Sequence, residues 1–128
     1  FDFRKPKAIG LEIDADNEQI KNGSGYDHCF VINKREPEEL ALAARITDPK
    51  SGRVLETYTT EPGMQVYTAN FCSGYPIQAG CTAPRRSAIC FESEHFPDSP
   101  NRPDFPREYT DKDRIYESTT SYKLVIKE

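Results

Sequence analysis

The stretch ELALAARITDPKSGRVLETYTT, residues 39–60, indicates the fold class most directly because it contains two strand-like segments separated by a turn. The tetrapeptide PKSG at residues 49–52 is rich in turn-forming residues. After it, the side chains of residues 54–58 alternate between two faces, as they do in a strand. These features predict an antiparallel β-hairpin with strands over residues 39–48 and 53–60.

Four other segments have the composition and alternation of strands. They cover residues 26–33, 64–71, 87–94 and 119–127, and in the last of them Tyr122, Leu124 and Ile126 predict a half-buried strand. Helix signals are weak: residues 14–21 could form one or two turns, and residues 37–40 could begin a short helix instead of a strand. We therefore predict an all-β protein of antiparallel strands.

Residues 97–106 contain four prolines spaced three residues apart. This spacing suits a polyproline II conformation, and the favoured interpretation is a rigid surface connection between strands. The alternative, a ligand for a proline-recognising domain, is disfavoured because Asp98, Asp104 and Phe105 interrupt the run.

The composition excludes several classes of protein. The 128 residues suit one domain with a buried core, and seven Tyr and seven Phe are too many for a disordered tail. The net charge is −4, from 17 basic and 21 acidic residues without a basic block, which argues against a nucleic-acid partner. No apolar run approaches the roughly 20 residues that a membrane-spanning helix needs.

Four cysteines, at positions 29, 72, 81 and 90, bear on metal binding and on the cellular compartment. They form no Cys-x-x-Cys pair and the two histidines do not flank them, so we expect no metal site. Cys29 and Cys90 lie in apolar strand patterns and are expected to be buried free thiols. Cys72 and Cys81 flank a loop and could form a disulfide in an oxidising compartment, which the sequence leaves open.

Glu92 is the first candidate for chemistry because it lies in an apolar strand pattern. On that strand its side chain shares a face with Ala88 and Cys90. A partly desolvated carboxylate has a raised pKa and can exchange a proton near neutral pH. The alternative, which the spacing alone favours, is a structural Glu at a strand end, paired with Arg85 or Arg86.

Other titratable residues near the same segments are not assigned to catalysis. Glu94 lies on the face of Glu92, which suggests a glycosidase pair. Adjacent acids on one strand face, however, are about 7 Å apart along one side and cannot flank a bond from opposite sides. His28 and His95 point away from Asp27 and Glu92 by strand parity, so neither is assigned as a catalytic acid.

Asp27 and Gln65 are candidates for binding a polar ligand. Asp27 follows the glycine-rich loop at residues 23–25, from which a short acceptor can be aimed into a cleft; the alternative is an Asp that caps its own turn. The amide of Gln65 can both donate and accept a hydrogen bond. The alternative for Gln65 is a purely structural residue in a strand.

Three segments of the sequence together resemble one enzyme family. They are GYDH at residues 25–28, PGMQVYTANF at residues 62–71 and CFESEHFPDSPN at residues 90–101. These segments closely resemble the C-terminal part of the aldose 1-epimerases (galactose mutarotases), and the resemblance covers essentially the whole chain. Cys29 stands where that family usually has Asn, and Val66 and Ala69 stand where it has Phe and Gly.

The resemblance implies a fold and a reaction. The fold is an antiparallel β-sandwich of the galactose mutarotase-like supersandwich type. The reaction interconverts the α and β anomers of free sugars such as galactose and glucose by acid–base catalysis, without a metal or a cofactor. The resemblance assigns Glu92 as the catalytic base and Asp27 and Gln65 as ligands of sugar hydroxyls. The family's acid histidine belongs to a part that this chain does not contain.

Further expectations concern the chain as a whole. It opens on FDFR without an initiator Met, and we expect residues 1–128 to be a C-terminal fragment of a single aldose 1-epimerase domain whose N-terminal half is absent. Alone, the fragment is expected to be inactive. It is also expected to self-associate through uncovered sheet edges and an apolar face. The residues expected near that seam are Val31, Leu42, Ile46, Leu124 and Ile126.

Two alternatives accompany these expectations. The parent protein is expected in the cytoplasm, with the periplasm as the alternative. The rival function is a non-catalytic carbohydrate-binding or accessory module on the same fold, because fold alone does not fix function. A buried base at Glu92 would favour the enzyme over the binding module.

Overall fold

The computed structural model describes residues 1–106 and 110–126, which divide into two compact units. The first unit contains residues 1–28 and 66–90. The second contains residues 29–65 and the described residues from 91 onward. No helix among these residues is long and apolar enough to cross a membrane.

Strands make up most of the regular structure. They are β1 (Asp27–Val31), β2 (Ala41–Thr47), β3 (Arg53–Thr59), β4 (Gly63–Tyr67), β5 (Tyr75–Pro76), β6 (Thr82–Ala83), β7 (Cys90–Glu94) and β8 (Thr120–Ile126). The helix α1 covers Glu18–Gly23, and short 3-10 segments cover Ile9–Leu11, Gln78–Gly80 and Ser99–Asn101. The sheets have the strand orders β1-β4-β7, β2-β3-β8 and β5-β6. The prediction of an all-β protein is confirmed.

The predicted hairpin is confirmed. β2 and β3 pair antiparallel across the PKSG turn, with one irregularity in register between Leu42 and Ala44. β8 pairs antiparallel with the other side of β3. β3 is therefore the central strand of this sheet, and its Thr57 and Thr59 are fully buried.

A row of charged side chains crosses this sheet at one register. Arg45 on β2 and Lys123 on β8 are the partners of Glu56 on β3, which is only 7% exposed. Arg45 Nε donates to Glu56 Oε1 at 2.9 Å, and Tyr58 donates its hydroxyl to Oε2 at 2.8 Å. The hydrogen bond from Tyr58, together with Arg45, holds the pKa of Glu56 below its ordinary value. A buried carboxylate in the central strand is thus satisfied by its neighbours.

The core of the first unit surrounds Tyr26. The buried side chains of Ile13, Ile20 and Tyr26 pack together, and Phe3 and Ile9 pack against them. The rings of Phe3 and Tyr26 meet edge to face, with centroids 5.2 Å apart. This packing fixes Tyr26, the residue that precedes Asp27.

The helix lies slightly later in the chain than the predicted residues 14–21. Asn17 begins it as an N-cap, because its side-chain oxygen accepts hydrogen bonds from the backbone N–H groups of Gln19 and Ile20. The helix ends at Gly23, because Ser24 adopts a left-handed conformation with φ 54°. The capping residues therefore set its bounds.

Several predicted elements are shorter or different. The strand predicted for residues 64–71 ends at Tyr67, because Ala69 has a φ of 50° that no strand continues through. The strand predicted for residues 87–94 begins only at Cys90. Residues 37–40 form a turn and an extended segment, not a helix.

The prediction of polyproline II over residues 97–106 is wrong. This segment forms turns and the 3-10 segment Ser99–Asn101. Asp98 begins that segment in a left-handed conformation with φ 65°, which polyproline II does not contain.

The prediction that β8 is half-buried is also wrong. Tyr122, Leu124 and Ile126 are 59%, 80% and 74% exposed, because β8 lies at the edge of its sheet. Of the other residues expected near an uncovered seam, Val31 and Leu42 are exposed and Ile46 is half-buried. Most of this predicted set is therefore exposed in the chain.

None of the four cysteines, all of which lie in described residues, forms a disulfide. Cys72 is not joined to Cys81. Cys29 and Cys90 are half-buried, where the sequence pattern predicted full burial.

Candidate functional site

Asp27 follows a sharp bend in the backbone. Ser24 and Gly25 have φ angles of 54° and 139°. Glycine adopts such conformations without the steric cost that other residues incur. After this bend, which we call the Asp27 bend (residues 23–27), Asp27 is the first residue of β1 and is half-buried.

His28 fixes the main chain of Asp27. The Asp27 N–H donates to Nδ1 of His28 at 2.9 Å. The ring hydrogen of neutral His28 is therefore on Nε2, which lies 3.2 Å from the carbonyl oxygen of Gln19 in α1. His28 thus has a structural role between β1 and the helix.

Two buried polar residues after β4 bind the same bend. Thr68 and Asn70 are each 3% exposed. Thr68 Oγ1 accepts a hydrogen bond from the Tyr26 N–H at 3.1 Å, and Asn70 Nδ2 donates to the Tyr26 carbonyl at 2.8 Å. The sequence did not predict a role for Thr68 or Asn70, because their shared partner Tyr26 lies 42 and 44 positions away.

Two arginines also contact the bend. Arg85 Nη2 and Arg86 Nη2 donate to the Ser24 carbonyl oxygen at 2.8 Å and 3.0 Å. Arg86 also forms a two-pronged ion pair with Asp14, at 2.8 Å and 2.7 Å. Both arginines therefore have hydrogen-bond partners within the first unit.

Gln65 is half-buried in the middle of β4, just after a site of close packing. A Cβ added at Gly63 would lie 2.8 Å from Cys29 Sγ and 3.1 Å from the carbonyl oxygen of Glu94. The distance to Cys29 Sγ is shorter than a Cβ contact can be without a shift of the neighbour. Glycine at position 63 therefore lets its neighbours approach β4 directly beside Gln65.

Glu92 lies in the middle of β7 and is exposed. The expected desolvation of its carboxylate is therefore wrong for this chain. β7 is an edge strand in the order β1-β4-β7, so neighbouring strands shield it from one side only. The alternation of side chains predicted the strand, but alternation does not distinguish a central strand from an edge strand.

Glu94 lies beside Cys29. Burial, and then the neighbouring Glu94, raises the pKa of the Cys29 thiol to about 12. Cys29 therefore stays protonated at neutral pH, and the thiolate that reacts as a nucleophile is not formed. The predicted free thiol at Cys29 is thus observed, although it is half-buried.

The three predicted site residues divide between the two units. Gln65 on β4 and Glu92 on β7 lie in the second unit, on strands that are neighbours in the sheet order. Asp27, the first residue of β1, lies in the first unit. Among the residues that the structure describes, no group of three or more His, Cys, Asp or Glu is close enough to hold a metal ion.

One protein-family model matches most of this chain. The family model described as "Aldose 1-epimerase" matches residues 1–123. The chain belongs to the aldose 1-epimerase family. The resemblance of the three sequence segments is thereby confirmed.

Individual relatives of the aldose 1-epimerase family match over nearly the whole chain. The galactose mutarotase of Mus musculus is 37% identical over 127 residues, which are 98% of this chain and 35% of that protein. The human galactose mutarotase is 36% identical over the same shares. The aldose 1-epimerase of Escherichia coli (strain K12) is 34% identical over 98% of this chain and 36% of its own length. The chain thus spans 35–36% of the length of these curated relatives.

The second unit contains another buried carboxylate, Glu61, to which the family resemblance assigned no role. Glu61 is 3% exposed; its Oε2 lies 2.7 Å from His95 Nδ1, and its Oε1 accepts a hydrogen bond from the Tyr116 hydroxyl. His95 therefore has a buried carboxylate as its neighbour. The sequence did not predict this pair, because His95 and Glu61 are far apart along the chain.

A cavity of about 560 Å³ lies next to this cluster in the second unit. Its lining includes Lys34, Glu61, His95 and Tyr116, and it includes none of the three predicted site residues. Lys34 Nζ donates to the carbonyl oxygens of Pro37 and Thr60, and burial lowers the pKa of its ammonium group. The Lys34 ammonium group is thus hydrogen-bonded to two other residues of the same lining.

Proposed function

We propose that the protein that carries this chain is an aldose 1-epimerase, which interconverts the α and β anomers of free hexoses such as galactose and glucose. The observation that supports this most is the family match over residues 1–123, within which Glu92, Asp27 and Gln65 are all present. We further propose that residues 1–128 are the C-terminal part of one enzyme domain. The share of 35% of mouse galactose mutarotase supports this.

Glu92 is the general base in this proposal. Its carboxylate removes the proton of the anomeric hydroxyl, the C1–O bond of that hydroxyl becomes a carbonyl, and the bond between C1 and the ring oxygen breaks. An acid outside this chain protonates the ring oxygen. Rotation about the C1–C2 bond then presents the other face of the aldehyde. The reverse proton transfers close the ring as the second anomer.

Asp27 and Gln65 hold the sugar in this proposal. The Asp27 carboxylate accepts hydrogen bonds from hydroxyl groups, and the Gln65 amide can donate to one hydroxyl and accept from another. No cofactor takes part, since proton transfer and bond rotation complete the reaction. The partners are therefore a monosaccharide and the remainder of the same domain.

We also propose a cytoplasmic location for this protein. The reducing cytoplasm would keep Cys72 and Cys81 as thiols, whereas an oxidising compartment would favour a disulfide between them. Recovery of the protein in the periplasmic fraction of its host would contradict this part of the proposal.

The exposure of Glu92 favours a second candidate function for the chain taken alone, a non-catalytic carbohydrate-binding module. An exposed carboxylate keeps its hydration, and a base works best in a site that excludes water. The Asp27 bend, in contrast, is fully formed within the chain. The chain alone would then bind sugar without turning it over.

Polarimetry and calorimetry separate the two candidates. Freshly dissolved α-galactose is followed by optical rotation with the full-length protein, with the 128-residue chain and with buffer alone. We expect the full-length protein to accelerate the approach to equilibrium and the chain alone to leave it at the buffer rate. A full-length protein that binds galactose in calorimetry but leaves the buffer rate unchanged would be a binding module, and the proposed enzyme function would be wrong.

A further inference from the structure

We propose that Asn70 is a positioning residue for sugar binding, which acts by fixing the Asp27 bend. The proposal rests on the proposed function, because it requires Asp27 to be a ligand of the sugar. Asn70 itself touches no sugar in this account. It holds the main chain from which the Asp27 side chain extends.

The hydrogen bonds of Asn70 are fully used within the protein. Its Nδ2 group donates to the carbonyl oxygens of Gly23 and Tyr26, both at 2.8 Å. Its Oδ1 accepts the Thr68 hydroxyl at 2.7 Å. An amide has two donor hydrogens and one acceptor oxygen, so this side chain is committed to the bend and to Thr68.

The two carbonyl groups that Asn70 binds lie at the two ends of the bend. Gly23 is the last residue of α1, where carbonyl groups lack partners within the helix. The Tyr26 carbonyl belongs to the peptide group whose nitrogen is that of Asp27. One side chain therefore links the end of the helix to the peptide bond that carries Asp27.

The fit between Asn70 and the bend is too close for another arrangement. A Cβ added at Gly25 would lie 2.3 Å from Asn70 Oδ1 and 2.8 Å from its Cγ. The main chain of Gly25 thus passes directly over the Asn70 amide, in a conformation with φ 139° that glycine tolerates. Neither partner can move toward the other.

Thr68, two residues before Asn70, completes the arrangement. Its Oγ1 accepts the Tyr26 N–H at 3.1 Å, and its own N–H donates to the Tyr26 carbonyl at 3.0 Å. Tyr26 is therefore held through both its N–H and its carbonyl group. The main chain that carries the Asp27 carboxylate is therefore ordered before a sugar binds. Such order before binding increases affinity.

The first test replaces the donor group without changing the shape of the side chain. Asn70→Asp in the full-length protein puts a carboxylate oxygen opposite the Gly23 and Tyr26 carbonyls. We expect the dissociation constant for galactose in calorimetry to rise by about tenfold. Asn33→Asp makes the same chemical change at an exposed position and should leave that constant within about twofold.

A double-mutant cycle asks whether Asn70 acts through Asp27. In an Asp27→Ala background, Asn70→Asp should raise the dissociation constant by less than about twofold further, because the group it positions is gone. Full additivity of the two changes would overturn the proposal. So would an unchanged dissociation constant in the single Asn70→Asp variant.

Hydrogen exchange of the bend provides a readout that needs no sugar. We expect the amide hydrogens of Tyr26 and Asp27 to exchange faster in Asn70→Asp, while those of the central strand β3 keep their rates. If Asn70→Asp does not fold, Thr68→Val removes one hydroxyl from the same network, and Thr68→Ser retains it and should restore slow exchange. Unchanged exchange in the variants that lose a hydrogen bond would contradict the proposal.

The proposed function and this inference fail in different ways. If the wild-type protein does not bind galactose, or if Asp27→Ala leaves the affinity unchanged, the proposed sugar site is wrong. If Asp27→Ala weakens binding and exchange at the bend rises in Asn70→Asp without any loss of affinity, the sugar site stands and the positioning role of Asn70 is wrong.

Discussion

The two regions that supply the proposed site residues differ in how firmly the chain holds them. In the Asp27 bend, Thr68, Asn70 and two arginines bind the main chain, and Tyr26 is 1% exposed. In β7, Glu92 lies exposed on an edge strand. The chain by itself thus orders the main chain of Asp27, the proposed sugar ligand, and leaves the proposed base exposed to water.

This difference separates binding from catalysis in physical terms. A sugar binds more tightly when the main chain of its site is already rigid before binding. A general base is more effective in an environment that shifts its pKa and excludes water. We infer that the sugar-binding function depends mainly on contacts within this chain, and that the catalytic function depends on further groups around β7.

The largest effect on stability is expected at Gly25, where a side chain has no room in the Asp27 bend. Gly25→Ala introduces a Cβ that would lie 2.3 Å from Asn70 Oδ1, at a φ of 139°. Backbone strain and the loss of Asn70 hydrogen bonds together should lower the free energy of unfolding by about 3 kcal/mol. Urea denaturation of the chain measures this.

A matched glycine provides the control for that prediction. Gly10 has open space where a Cβ would be added, and its backbone is not in the left-handed region. Gly10→Ala should change the free energy of unfolding by less than about 0.5 kcal/mol. Equal effects of the two substitutions would show that the bend is not rigid.

The next effect concerns sugar affinity. Asp27→Ala and Gln65→Ala in the full-length protein should each weaken galactose binding by about 1–3 kcal/mol, because each leaves a sugar hydroxyl without its partner. Titration calorimetry measures this. Asp16→Ala and Gln78→Ala remove the same groups at exposed positions and serve as controls. Either site variant with wild-type affinity would remove that residue from the sugar site.

A smaller effect is expected on the association of the 128-residue chain. Leu124 and Ile126 are 80% and 74% exposed on β8, and an exposed apolar edge strand recruits other chains. We expect light scattering to give a mass above that of the monomer. Leu124→Lys should weaken the association by about tenfold, or about 1.4 kcal/mol.

The control for association is a variant that adds a charge on the opposite face of β8. Ser121 alternates with Tyr122 and Leu124, so Ser121→Lys adds a lysine without removing an apolar contact. It should leave the mass unchanged. A wild-type chain that is monomeric at every concentration would show that β8 does not mediate association.

The smallest effect is expected at the end of β4. Ala69 is buried with a φ of 50°, where glycine is less strained. Ala69→Gly should raise the free energy of unfolding by about 0.5 kcal/mol, because relief of strain exceeds the greater chain entropy of glycine. Ala8→Gly makes the same change at a φ of −65° and should be destabilising. A loss of stability in both variants would mean that the φ of Ala69 is not strained.

The strands could be predicted where local signals agree. The hairpin β2–β3 combined alternation with a turn-forming tetrapeptide, and both are local properties of the sequence. The end of β4 could not be predicted, because a non-glycine residue with positive φ, Ala69, has no local sequence signal. The exposure of Glu92 also escaped prediction, because the strand order of a sheet depends on contacts between distant segments.

The site residues could be predicted only in part, and from the family resemblance in place of local sequence patterns. Spacing alone left a structural and a chemical interpretation open for Glu92, Asp27 and Gln65, and the family resemblance favoured the chemical one. Asn70 was missed because it binds Gly23 and Tyr26, which are 47 and 44 positions away. Hydrogen bonds over such separations become visible only in the folded structure.

The assignment of Glu92 as the base is the central claim, and a matched pair of variants in the full-length protein tests it most directly. Glu92→Gln keeps the shape of the side chain but cannot accept the proton, so polarimetry should show kcat for α-galactose reduced by about 10²–10⁴-fold, with galactose affinity largely kept. Glu94→Gln makes the same change two residues later on β7 and should keep kcat within about twofold. A Glu92→Gln variant with a kcat close to that of the wild type would contradict the account.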